Sequence, residues 1–184
     1  MAQLIRRWTL NDLSVIQNVL WNTWVKSYSS FIPEEDLKSY FTDHYDLKAL
    51  TDLFNNPLVN GFVAEVDGEV VGFMRTTRDW EENRYYVSSV YVLPQFQGRR
   101  LGLELMKRAA EDAQFYKLDR VWLGVMVQNT QALTWYQRLG FKTARTEPFT
   151  MGASIVDHYI GYVPIETILK SAGAASPESA VHTS

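Results

Sequence analysis

Val90-Tyr91-Val92-Leu93-Pro94-Gln95-Phe96-Gln97-Gly98-Arg99-Arg100-Leu101-Gly102-Leu103 is the stretch whose reading organises the rest of the chain. Arg84 to Leu93 is rich in tyrosine, valine and serine, which suit a strand, and Pro94 closes it. Beyond the loop, Leu101, Leu105, Met106, Ala109 and Ala113 mark one face of a helix. The backbone N–H groups that open this helix have no intrahelical acceptor, so the loop gathers them at one point. Unpaired amides and the helix dipole together make an anion site fit for a pyrophosphate. Gly98 and Gly102 lack side chains that would obstruct it, while Arg99 and Arg100 add charge-assisted bonds. A basic turn with a solvated helix start has the same composition, so the loop takes its meaning from its surroundings.

On the C-terminal side, Asp119 to Val127 reads as an apolar strand, which a right-handed crossover sets parallel to the strand at Arg84 to Leu93. Gln131 to Leu139 reads as a short helix ended by Gly140, a residue suited to a left-handed C-cap. Further strands are predicted near Phe141 to Glu147 and Ser154 to Tyr162. On the N-terminal side, a strand from Gln3 to Trp8 leads through a Thr9/Asp12 capping pair into a helix carrying Leu13, Ile16, Leu20 and Trp24. Pro33-Glu34-Glu35 opens a second helix, and Asp46 towards Phe54 forms a third. Gly61 to Val66 and Glu69 to Thr76, joined by Asp67-Gly68, read as a hairpin. Residues 1–170 form one domain in this reading. Residues 171–184, small and polar, form a flexible tail.

The 184 residues are 46% hydrophobic and 14% aromatic, enough for one buried core. A net charge of -3 gives no global field favouring nucleic acid or an anionic membrane. The absence of cysteine excludes disulfides, thiolate catalysis and cysteine-bound metals, and fits a cytoplasmic protein. No apolar run reaches the roughly 18 residues of a membrane span, and Arg6, Arg7 and Asn11 stand where a signal peptide would be apolar. His44, His158 and His182 lack metal-ligand spacing, so no metal is expected. A homodimer is compatible with edge strands near the C-terminus, as is a monomer.

Gln97 through Gly102 resembles the acyl-CoA signature of the GNAT superfamily, Q/R-x-x-G-x-G/A, with Arg100 where that pattern has its central glycine. A right-handed helical conformation is therefore expected at Arg100. Asn129 to Phe141 is similar to the C-terminal pattern of the same family: an asparagine after a strand, a helix bearing a tyrosine, then glycine-phenylalanine. The resemblance implies an α/β fold, a mixed and mostly antiparallel sheet flanked by helices, whose strands near 84–93 and 119–127 splay around CoA. It implies that Val90, Tyr91, Val92, Gln97, Gly98, Arg99, Arg100, Leu101, Gly102, Leu103, Asn129 and Tyr136 meet acetyl-CoA. Trp24, Tyr28 and Phe31 resemble the acceptor-bordering helix-loop-helix of bacterial members, including polyamine N-acetyltransferases, although aromatics at helical spacing serve a core equally well.

Transfer from a thioester to an amine needs the neutral amine. An alkyl ammonium with a pKa of roughly 10.4 lies about 4–5 kcal/mol from that form at pH 7. The departing thiolate needs less help, and the resemblance assigns the acid role to Tyr136. The base stays open between Glu81 or Glu82, Ser88 acting through water, and His158, because Tyr86 stands where many relatives carry a glutamate. The expected reaction is acetylation of a small-molecule primary amine, such as a polyamine or an amino acid. The alternatives are acetylation of a protein or peptide and a CoA-binding module without turnover.

Overall fold

The computed structural model describes residues 1–174, and the remaining positions of the expected tail lie outside the described residues. Strand β1 (Gln3–Arg7) is followed by α1 (Leu13–Tyr28), α2 (Glu34–Tyr45) and α3 (Leu47–Asn55). Then come β2 (Val59–Val66), β3 (Glu69–Asp79), β4 (Arg84–Val92), α4 (Leu101–Phe115) and β5 (Arg120–Met126). The chain continues through α5 (Thr130–Arg138), β6 (Lys142–Met151), β7 (Ser154–Pro164) and α6 (Ile165–Gly173). One seven-stranded sheet runs in the order β1-β2-β3-β4-β5-β7-β6. Only the β4–β5 pair is parallel. This is the mixed, mostly antiparallel α/β sheet expected from the sequence.

Local chemistry accounts for the element ends. The Thr9 amide donates to Asp12 Oδ2 at 2.7 Å, and Asp46 accepts from the Ala49 amide at 2.7 Å to cap α3. Asp67 and Gly68 both take positive φ, 51° and 86°, as a tight β2–β3 turn requires. Helix α4 buries Leu101, Leu105, Met106, Ala109, Ala110 and Ala113, and it packs against β3, β4 and β5 with α6 at its side. Helix α1 buries Ile16, Val19, Leu20 and Trp24 and packs against β3 and β4. Burial of each such large apolar side chain is worth about 1.5–3 kcal/mol, which fixes these helices on the sheet.

Two expectations are corrected. Arg100 has φ 65° and ψ 5°, left-handed and not right-handed, because the loop must reverse into α4 whichever residue stands there. For a residue with a Cβ this conformation costs roughly 1–2 kcal/mol. Ser171 to Gly173, read as the start of a tail, instead close α6, whose Ile165 and Ile168 are buried and whose Pro164 stands at the N-cap.

The feature that shapes the centre of the molecule is a break in strand pairing. β4 and β5 pair only at Tyr86↔Trp122 and Val87↔Leu123, and beyond those residues they separate. On the other edge of β4, Val87 faces Thr76 and Ser89 faces Arg75, leaving Ser88 as an extra bulged residue. A bulge bends its strand and increases the local twist, and this one falls immediately after the last β4–β5 pair.

Candidate active site

The separating strands open a cavity of about 1000 Å³ that extends from the loop before α4 to a chamber walled by α1, α2 and the β6–β7 hairpin. At the loop end, Gly98 has φ 80° and a Cβ added there would meet nothing within 4 Å. The backbone N–H groups from Gly98 to Leu103 have no hydrogen-bond partner among the described residues, while the next amide, Glu104, donates to the Arg100 carbonyl at 2.9 Å. An amide cradle of this kind, at the start of a 15-residue helix, fits a pyrophosphate. Gln97 Nε2 donates to the Val92 carbonyl at 3.0 Å and pins the loop to the strand end. A Cβ on Gly102 would stand 3.3 Å from Trp135 Cζ2, so α4 and α5 approach closely beside the cradle.

Arg99 and Arg100, grouped by the sequence as phosphate contacts, are placed differently from one another. Arg100 lines the cavity, but its Nη2 donates to the carbonyls of Ser171 and Ala172 at 2.9 and 3.1 Å, tying the loop to the end of α6. The Arg99 guanidinium lies over the Phe96 ring, 5.1 Å from its centroid, and is not part of the cavity wall.

Where the strands part, four predicted residues come together. The Tyr28 and Tyr91 hydroxyls are 3.0 Å apart, joining α1 to β4. Asn129 caps α5 through its side chain, which accepts from the Ala132 amide at 3.3 Å, and it lines the same cavity as Tyr28. Tyr136, on α5, is buried and lines the same cavity. Burial pushes the Tyr28 phenol up to about 12 and raises Tyr136 further, with the Tyr91 oxygen adding to the effect at Tyr136. Val90 and Val92 also line the gap.

The acceptor end brings in some candidates and leaves others out. Trp24, Tyr28, Tyr86, Ser88 and His158 line the cavity. Phe31 is outside the wall and packs edge-on against Tyr28, with ring centroids 5.9 Å apart. Glu81 is exposed and outside the wall. Glu82 accepts from Arg84 at 2.6 Å and from the Tyr86 hydroxyl at 2.9 Å, on the far side of the β4–β5 junction. Half-buried His158 lies against Gly124, and burial lowers its pKa below the ordinary histidine value, so its imidazole is neutral at pH 7.

The sequence reading missed Arg75, Tyr40, Tyr45 and Phe149, which also line the chamber. Arg75 carried a usable signal, a cation directly after the apolar run Val70 to Met74 and still inside a strand. Outside the wall, Asp36 ties α2 to the β6–β7 turn: its two oxygens accept from the Ala153 amide at 2.8 Å and from the Ser154 hydroxyl at 2.5 Å. These bonds hold its carboxyl below the usual carboxylate range.

The cavity thus joins an amide-lined loop fit for a pyrophosphate to the gap between two parted parallel strands. The sequence model of the acetyltransferase (GNAT) family matches residues 20–141. An uncharacterized N-acetyltransferase of Mycobacterium tuberculosis is 24% identical over 151 residues, covering 82% of this chain and 96% of the relative. The PaiA N-acetyltransferase of Thermoplasma acidophilum, solved in complex with coenzyme A, superposes with a TM-score of 0.75 at 21% identity, covering 86% of this chain and 98% of that one. The spermidine N-acetyltransferase of Vibrio cholerae, solved with CoA and spermine, gives a TM-score of 0.68 at 19% identity over 91% of this chain and 98% of that one. The chain belongs to the GNAT family of acetyltransferases. It is an acetyl-CoA-dependent N-acetyltransferase. No helix among the described residues is long and apolar enough to cross a membrane.

Proposed function

We propose that the enzyme acetylates the primary amine of a small molecule held in the chamber between α1, α2 and the β6–β7 hairpin. The observation that carries this reading is the continuity of the cavity, whose one wall includes the loop amides, the β4–β5 gap and Trp24, Tyr28 and His158. A chamber walled by Trp24, Tyr28, Tyr40, Tyr45 and Phe149 suits a compact acceptor better than a folded protein surface.

In this mechanism the amides from Gly98 to Leu103 hold the pyrophosphate, and the exposed edges of β4 and β5 orient the thioester arm. Neutral His158 takes one proton from the acceptor ammonium. The freed amine attacks the thioester carbonyl carbon, a C–N bond forms and the C–S bond breaks. The second proton lost by nitrogen ends on sulfur. Tyr136 keeps its own proton through neutral pH, because its raised pKa disfavours a buried phenolate. Its role is to donate a hydrogen bond to the developing thiolate and to relay the second proton.

The test is thiol release from acetyl-CoA across amino acids, polyamines, aminoglycosides and short peptides. Turnover confined to peptides would replace the small-molecule reading. Turnover of none of these amines would overturn the small-molecule reading and place the acceptor outside the classes tested.

A further inference from the structure

We infer that Arg75 is the specificity residue of the acceptor chamber and binds a carboxylate on the acceptor, so that the substrate is an amine that also bears an acid group, of the amino-acid class, and not a polyamine. The inference rests on the reading of the chamber as the acceptor site.

Arg75 lies near the middle of β3 opposite Ser89, at the point where the β4 bulge shifts the register. Its guanidinium carries five donors. The bond it makes, from Nη2 to the Tyr45 hydroxyl, is long at 3.4 Å. Its Nε is buried and has no partner. The Tyr45 ring, 5.5 Å from the guanidinium carbon, flanks the group, which lines the cavity. Three other buried or half-buried arginines at the sheet are partnered differently. Arg6 pairs with Asp12 and Glu65, Arg84 pairs with Glu82, and Arg78 donates to Asn83 and to the Arg84 carbonyl. Arg75 has no carboxylate within ion-pair distance among the described residues.

The rest of the wall points the same way. No Asp or Glu lines the cavity among the described residues, whereas Arg75, Arg100 and Arg138 do. The last two belong to the loop before α4 and to α5, which leaves Arg75 as the cation of the α1–α2 end. A polyamine bound there would set its second ammonium against a guanidinium, with no carboxylate to receive it. A carboxylate would supply the missing bidentate partner, a geometry that arginine provides and lysine does not.

The test compares wild type with Arg75→Gln and Arg75→Lys on matched acceptors: free amino acids, their amides, the corresponding decarboxylated amines, and spermidine. CoA affinity measured alongside reports whether each variant is folded. The expected result is kcat/KM at least about tenfold higher for the acid than for its amide in wild type. That ratio should collapse towards one in Arg75→Gln and be partly kept in Arg75→Lys. A wild-type preference for amides or spermidine, or a ratio unchanged by Arg75→Gln, overturns the inference while leaving the reading of the chamber as a small-molecule acceptor site in place. Should no amine be turned over, that reading fails. Calorimetry with N-acetyl amino acids and their amides on the CoA-loaded protein then decides the inference: Arg75-dependent binding of the acids upholds it, and its absence overturns it.

Discussion

The imidazole of His158 occupies the space that a side chain on Gly124 would fill. A Cβ on Gly124 would stand 2.2 Å from Cε1 and 2.3 Å from Nε2 of that ring. Gly124 is on β5 just past its last pairing with β4, so the missing side chain lets a residue from β7 reach the gap between the strands. Gly124→Ala should therefore displace the ring and lower turnover without changing the titrating group. A crystal structure of the variant with the ring unmoved would refute this packing account.

The same pair sets a pH dependence. Burial lowers the folded-state pKa of His158, so the folded chain binds this proton less readily than the unfolded chain does. Its contribution to stability is complete above the ordinary histidine value of about 6.5 and is lost as pH falls towards the lower folded value. With His158 as proton acceptor, kcat/KM should fall over that same acid range. His158→Gln should remove this limb and reduce the rate by roughly 10²–10⁴. A variant that retains both the rate and the limb would assign the base role elsewhere.

Tyr136→Phe keeps the ring and its burial and removes only the hydroxyl, so CoA affinity and melting temperature should hold. Turnover should drop by about 10–1000-fold, overlapping the range of proton-transfer catalysis, because water substitutes in part. Since burial raises the phenol, no alkaline limb from Tyr136 should appear below its ordinary value of 10.0. Wild-type turnover in the variant, with chemistry rate-limiting, would make Tyr136 a packing residue.

Gly98 combines positive φ with open space around its missing side chain. Gly98→Val should weaken CoA binding by adding bulk over the amide cradle and by straining the turn. Gly98→Asn, whose side chain tolerates the left-handed region, controls for strain. Isothermal calorimetry should rank affinity as wild type, then Asn, then Val. Equal affinities in folded proteins would remove the pyrophosphate from this loop.

Arg100 pays a left-handed cost of roughly 1–2 kcal/mol and holds the end of α6 through two carbonyls. Arg100→Gly should relieve the first and lose the second, with little net change in denaturant midpoint. Arg100→Ala keeps the strained backbone and loses the contacts, so it should be the less stable of the two. The reverse order would show that the left-handed backbone at this position carries no such cost.

What was readable in the sequence follows from how local each signal is. The loop from Gln97 to Gly102 and the run from Asn129 to Gly140 are contiguous, and strand, turn and helix follow there in one stretch, with Gly140 taking φ 92°. The β4–β5 neighbourhood was legible because a strand-helix-strand order brings those strands side by side. Arg75 was not read as part of the site because its meaning depends on Tyr45 from a helix 30 residues earlier in the chain. Phe31 failed for the opposite reason: its spacing matched that of Tyr28, but its ring packs against Tyr28 outside the cavity. The left-handed turn at Arg100 ran against residue preference, and only the demands of the loop around it produce that turn.

Tyr85 and Tyr91 are six positions apart on β4, an even number, so an unbroken strand would point both to the same side of the sheet. Yet Tyr85 donates to Asp112 on α4, whereas Tyr91 meets Tyr28 on α1. The extra residue at Ser88 switches the parity of everything after it. One inserted position thus divides β4 into a half before Ser88 whose Tyr85 faces α4 and a half after it whose Tyr91 faces α1. Deleting Ser88 would turn Tyr91 towards α4 and transpose the two halves, leaving composition and length almost unchanged while removing the chamber's own wall.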